Sequence, residues 1–68
     1  MIGDNVRHWR KKRGLSQEKL TRLADVSLNT LTKIESGFAK KPTIQTAAKL
    51  AKALDVSLDE LVNPSKSK

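Results

Sequence analysis

The 68-residue sequence has no cysteine, a single histidine and only seven acidic side chains. Without cysteine there is no disulfide, no thiolate zinc site and no thiol nucleophile, which is compatible with a reducing cytoplasm. His8 has no second histidine as a partner ligand, and no two carboxylates stand at a catalytic spacing. We therefore expect a cytoplasmic protein that is not an enzyme and needs no metal or cofactor.

Long apolar runs are missing as well. The longest contain only a few residues, too short for a signal peptide or a membrane span, so no membrane association is expected. A chain of this length can bury one modest core and leaves no room for a cleft between lobes. We expect one domain over residues 1–62 and a flexible polar tail over residues 63–68.

Positive charge is what the chain has in excess. Fourteen lysines and arginines against seven acidic residues give a net charge of +7. Residues 1–41 hold ten basic and four acidic side chains, whereas residues 42–64 hold two and three. Because a strongly basic chain favours a polyanionic partner, we expect the anion-facing surface in the first two thirds of the sequence.

The apolar pattern is helical throughout, and no segment alternates as a strand does. Five helices are predicted: one over about residues 2–13, a brief one after Ser16, a third from Ser27 to Gly37, a fourth over about 43–54 and a short fifth after Ser57. Only about three residues separate the second and third helices, so these two should cross steeply. The predicted buried faces are Leu20, Leu23 and Ala24 in the second helix, and Ile44, Ala47, Leu50, Ala51 and Leu54 in the fourth.

One six-residue pattern occurs twice, as VSLNTL at residues 26–31 and as VSLDEL at residues 56–61. In the second copy, Ser57 and Glu60 can form a capping box. Acidic residues in a first turn stabilise a helix by interacting with the positive end of its dipole, yet the first copy has Asn29 and Thr30 instead. A surface that faces phosphates would repel carboxylates, so the first copy indicates an anion-facing helix. The alternative is that Asn and Thr are merely adequate in a first turn.

Three motifs in series, GLSQ, S-x-x-T-L-x-x-I-E-x-G and ALDVSLDEL, resemble the Cro/cI-type (XRE) helix-turn-helix family of phage and bacterial repressors. The resemblance covers about residues 2–62. It implies an all-α, five-helix, lambda-repressor-like domain that places its third helix in the major groove of DNA and often binds as a dimer.

The resemblance and side-chain chemistry together give the candidate DNA contacts. Asn29 can pair with an adenine edge, Lys33 can donate to guanine, and Leu28 can touch a thymine methyl. Thr32 can reach a base or the backbone, which completes the base-reading set. The phosphate-contacting residues implied by the resemblance are Ser16, Gln17, Ser36, Lys40 and Lys41.

Other expectations concern the scaffold. The resemblance implies an ion pair between Arg10 and Glu35 that joins the first helix to the third. Asp25 and Asp55 stand where the family commonly has glycine with positive φ, a conformation that Asp tolerates at some cost. Phe38 stands where the family often has a basic residue, and it should lie against sugar or pack on its loop. A possible dimer patch consists of Pro42, Ile44, Val56, Leu58 and Val62.

The function expected from these observations is sequence-specific binding of double-stranded DNA by a transcriptional regulator. We expect a repressor that binds a palindromic operator as a homodimer, since one such domain touches only a few base pairs. Two alternatives remain open. One is an antitoxin-type regulator that also binds a toxin or another protein partner, and the other is a protein-interaction adaptor with the same fold.

Overall fold

Five α-helices make up the structure, a computed structural model that describes residues 2–39 and 41–62. They are α1 (Ile2–Lys12), α2 (Gln17–Ala24), α3 (Leu28–Glu35), α4 (Ile44–Leu54) and α5 (Leu58–Val62). The predicted all-α, five-helix fold is confirmed, while the predicted tail over 63–68 lies outside the described residues. No helix in the described part of the chain combines the length and the apolar composition needed to cross a bilayer.

Each of the last four helices begins where a side chain caps it. Ser16, Ser27 and Thr43 precede α2, α3 and α4, and each accepts a hydrogen bond from the backbone N–H three residues later, at 3.1, 3.1 and 3.2 Å. Before α5, Ser57 Oγ accepts from the Glu60 N–H and Glu60 Oε1 accepts from the Ser57 N–H, both at 3.0 Å. The predicted helix starts and the capping box are confirmed.

Two helices end on an aspartate in the left-handed conformation. Asp25 has φ 58° after α2, and Asp55 has φ 59° after α4. This agrees with the expectation that Asp replaces glycine at both turns. Arg13 also reaches the end of α4, donating to the carbonyl oxygens of Leu54 at 2.8 Å and Asp55 at 3.2 Å. A cation at a helix C-terminus satisfies carbonyls that have no partner within the helix.

All five helices contribute to a single core, and that core fixes where α3 lies. α3 packs against both α1 and α2. Its contact with α1 is close, because a Cβ added to Gly3 would collide with the carbonyl oxygen of Ile34. The side chains of the buried cluster are Val6, Leu20, Ala24, Leu31, Ile34, Leu50, Ala51, Leu54 and Leu61.

Two predicted core residues are in fact exposed. Leu23 is 62% exposed, because the buried stripe of α2 consists of Leu20, Thr21 and Ala24. At about 100° per residue, Leu23 lies about 110° from the middle of that stripe. Ile44 is 77% exposed, because it is the first residue of α4 and lines an open groove instead of the core. The prediction of burial was wrong for both.

Candidate nucleic-acid interface

The outer face of α3 presents the four residues predicted to read bases. Leu31 and Ile34 point into the core and are fully buried. Leu28, Asn29 and Lys33 are exposed, and Thr32 is half-buried. The Thr32 hydroxyl donates to the carbonyl oxygen of Asn29 at 2.9 Å, so its hydrogen is directed at the helix backbone. The Asn29 and Lys33 side chains therefore supply the exposed polar groups of this face.

No exposed carboxylate lies on α3, all of whose residues the structure describes. The acidic residue in the helix is Glu35, which is only 5% exposed. Its Oε2 accepts from Arg10 Nε at 2.7 Å, and its Oε1 accepts from Arg10 Nη2 at 3.1 Å. The outer face is consequently uncharged or basic, which suits a surface that approaches phosphates.

The Arg10–Glu35 pair is the centre of a network that fixes the end of α3. Arg10 Nη1 also donates to the Leu15 carbonyl at 2.9 Å, in the turn between α1 and α2. Arg7 Nη2 donates to the backbone carbonyl of Glu35 at 2.9 Å. The Arg10 and Glu35 side chains are 12% and 3% exposed, so the pair is shielded from water. Such a pair holds the orientation of α3 relative to α1.

Gln17 is drawn into the same network, which sequence reasoning did not anticipate. Its Nε2 donates to Glu35 Oε1 at 3.0 Å, and this leaves one amide hydrogen and the amide oxygen for other partners. The neighbouring Ser16 Oγ is occupied in capping Lys19. The first N–H groups of α2 have no acceptor within the helix, so they are the unpaired donors that could meet a phosphate.

The segment after α3 contains the remaining candidate residues of this face. Ser36 is exposed, and its Oγ donates to the Lys33 carbonyl at 3.1 Å. Lys41 is exposed, and Lys40 lies outside the described residues. Phe38 is 81% exposed, so it does not pack on its loop, which was one of its two expected positions. The Lys33 Nζ lies 6.0 Å from the centroid of its ring.

A second surface is apolar, and no residue of α3 lines it. It is an open groove of about 540 Å³ formed by the start of α1, the segment before α4, the start of α4, and α5. Four of the five residues of the expected dimer patch line it. Val56 is the exception, because it is half-buried and packs against the core. The apolar lining residues, which we call the apolar groove, are Ile2, Pro42, Ile44, Ala47, Leu58 and Val62.

The arrangement of α2 and α3 is that of a known family. A family model described as helix-turn-helix matches residues 6–61, most of the chain. The chain belongs to the helix-turn-helix family. The resemblance to XRE-type members seen in the motifs is thereby confirmed, and the helix-turn-helix consists of α2, α3 and the turn between them.

Relatives of this helix-turn-helix chain include named regulators. The HTH-type transcriptional regulator SinR of Bacillus licheniformis is 36% identical over 63 residues, which cover 93% of this chain and 57% of SinR. The chain thus spans little more than half the length of that relative. A crystal structure of SinR in complex with DNA aligns with a TM-score of 0.90 at 35% identity, covering 93% of this chain and 100% of that one. A complex of the SinR and SinI proteins aligns with a TM-score of 0.91 at 33% identity, covering 98% of this chain and 65% of the other.

Proposed function

We propose that this chain is a sequence-specific double-stranded DNA-binding transcriptional regulator, acting as a cytoplasmic repressor by inserting α3 into the major groove. The observation that carries the proposal is the outer face of α3, which is exposed, free of carboxylates and held by the Arg10–Glu35 pair. The major groove is wide enough to admit an α-helix, and the phosphates that border it on both strands would repel acidic groups. The similarity to SinR solved with DNA supports the same reading.

Base reading falls to the exposed side chains of that face. Asn29 presents an amide that can donate to and accept from an adenine edge at once, and Lys33 presents an ammonium that can donate to guanine. Leu28, 43% exposed, can cover a thymine methyl. The Thr32 hydroxyl is bound to the helix backbone, so we assign it contact through its methyl group.

Phosphate binding falls to the two sides of α3. On one side, the N-terminus of α2 offers unpaired backbone N–H groups and the remaining amide hydrogen of Gln17. Ser16 Oγ accepts in the cap, so its hydroxyl hydrogen is the group that can donate to a phosphate. On the other side, Ser36 and Lys41 are exposed, and we expect Lys40 to act with them. These contacts fix the register of α3 on the duplex, and they carry no sequence information themselves.

The apolar groove is the proposed dimer interface. Contact between two copies through this groove would present two α3 helices to half-sites about one helical turn apart on a palindromic operator. The groove also supports the second candidate function, binding of a different protein, for which the solved SinR–SinI complex is a precedent among the relatives. A toxin-binding antitoxin would be one form of that function, and an adaptor domain without base reading another.

Selection of tight binders from random-sequence duplex DNA tests the proposal. We expect a palindromic preferred site, with binding that weakens steeply as salt rises. Lys33→Ala should relax the preference at one position by about 1–3 kcal/mol. Its matched control is Lys49→Ala, which removes the same charge from an exposed position on α4 and should leave the preference intact. Enrichment of no sequence would refute base reading and favour the adaptor function.

A further inference from the structure

Phe38, the one phenylalanine in the chain, carries an exposed ring, and its backbone is hydrogen-bonded to the end of α3. Gly37 turns the backbone with φ 87°, and the Ser36 Oγ accepts from the Phe38 N–H at 3.3 Å. The next residue, Ala39, donates its N–H to the Lys33 carbonyl at 2.9 Å. The backbone N–H groups of Phe38 and Ala39 are thus both hydrogen-bonded to the end of α3, and the exposed ring extends from this turn into solvent.

The ring and the Lys33 ammonium form one surface. They lie 6.0 Å apart, and both line a shallow depression with Thr32 and Ser36. Successive base pairs are about 3.4 Å apart along a duplex. With a hydrogen bond of about 3 Å from the Lys33 ammonium to a base edge, the ring centroid lies within about 9 Å of that edge, or about three base-pair steps.

The chemistry of a phenyl ring restricts what it can bind beside the base that Lys33 contacts. It has no donor for a phosphate oxygen, and the apolar group that the major groove displays is the C5 methyl of thymine. We propose that Phe38 is a specificity-determining residue whose ring packs on a thymine methyl within three base pairs of the base read by Lys33. This inference rests on the proposed function and adds a thymine contact separate from that of Leu28.

The test uses the duplex that the wild-type chain selects from random DNA, with each thymine replaced in turn by deoxyuridine, which lacks only the methyl. At one position the replacement should weaken wild-type binding by about fourfold, the equivalent of one buried methyl group. The same replacement should leave binding by Phe38→Ala unchanged, whereas Phe38→Leu should keep part of the difference. A Leu28→Ala variant should keep the full effect at the Phe38 position.

A uridine scan that is identical for the wild type and Phe38→Ala would overturn the proposal. So would a loss of affinity by Phe38→Ala that is equal on every duplex, since it would show that the ring lies against sugar. If the wild type selects no preferred sequence, the proposed function fails instead, and the inference falls with it. The Phe38→Leu variant keeps an apolar side chain, so it still tests the contact if the alanine variant fails to fold.

Discussion

Two turns of the molecule share almost the same sequence and backbone conformation, but the helices that follow them differ in charge. The helix after the first turn begins without an acidic residue, and the helix after the second begins with two. DVSLNTL runs from Asp25 into α3, and DVSLDEL runs from Asp55 into α5. Both aspartates are left-handed, with φ 58° and 59°. In both copies the following valine donates its N–H to the carbonyl five residues earlier, at 3.1 Å in the first and 3.0 Å in the second. The turn is thus one structural unit used twice.

The copies differ in the second and third residues of each helix, and the third residue takes part in the cap. In the first turn of α5, the Glu60 carboxylate accepts from the Ser57 N–H at 3.0 Å. Before α3, the equivalent residue is Thr30, whose Oγ1 accepts from the Ser27 hydroxyl at 2.8 Å. The first copy is therefore capped by neutral groups and gives up the dipole stabilisation that an acid would add. α4 also begins without an acidic residue, so stability does not require one, and under the proposed function the uncharged start of α3 avoids repulsion by phosphates.

The largest effect is expected from the one carboxylate that α3 retains. Glu35→Ala leaves the shielded Arg10 guanidinium without its partner and should lower the free energy of unfolding by about 3–5 kcal/mol. Glu60→Ala in α5 removes only a cap and should cost about 1 kcal/mol. Urea denaturation followed by circular dichroism measures both. Equal losses in the two variants would contradict the structural role of the Arg10–Glu35 pair.

Exchanging the two helix starts should separate binding from stability. With Asn29→Asp and Thr30→Glu, the first copy acquires the acidic residues of the second. DNA affinity should fall by roughly 100-fold, through lost base contacts and charge repulsion, while stability rises by about 0.3–1 kcal/mol per charge. The reverse exchange, Asp59→Asn with Glu60→Thr, should lower stability and leave affinity unchanged. Fluorescence anisotropy measures the affinity of each variant for the selected duplex. Unaltered affinity in the first exchange would refute α3 as the DNA-contacting helix.

The apolar groove and the outer face of α3 are proposed to have different roles, dimerisation and base reading, and a charge in the groove should affect only the first. Ile44→Lys places a charge in the groove and should weaken binding to the palindromic duplex by at least about tenfold while sparing a single half-site. Leu23→Lys is the matched control, because Leu23 is a large exposed apolar side chain that does not line the groove. Sedimentation of each variant on DNA reports the number of copies bound. An Ile44→Lys variant that binds the palindrome as tightly as the Leu23→Lys control would argue against this interface.

Local chemistry explains which features could be predicted from the sequence. The caps at Ser16, Ser27 and Thr43 depend on a few adjacent residues, and all three are as expected. The left-handed Asp25 and Asp55 were implied by the family resemblance and are also as expected. Helical periodicity also located four buried residues of α4, which are Ala47, Leu50, Ala51 and Leu54. These features require no knowledge of how distant segments pack.

Tertiary packing explains what could not be predicted. Leu23 and Ile44 fit a helical apolar stripe within about 110°, and only the packing of neighbouring helices decides which edge of that stripe is covered. The bond from Gln17 to Glu35 joins residues far apart in the chain, so no local pattern indicates it. The exposure of Phe38 likewise depends on how Gly37 directs the chain, and the resemblance could not fix it.

The smallest effect tests whether the two turns are energetically the same. Asp25→Gly and Asp55→Gly each remove a left-handed strain of about 1–2 kcal/mol and add the greater entropy of glycine in the unfolded chain, about 0.5–1 kcal/mol. Each should therefore stabilise the chain by about 0.5 kcal/mol, and the double variant should show the sum because the turns are separate. Precise urea midpoints with an unchanged m-value measure this. Destabilisation at Asp25 alone would show that the first turn carries an interaction the second lacks, because their backbone geometry is the same.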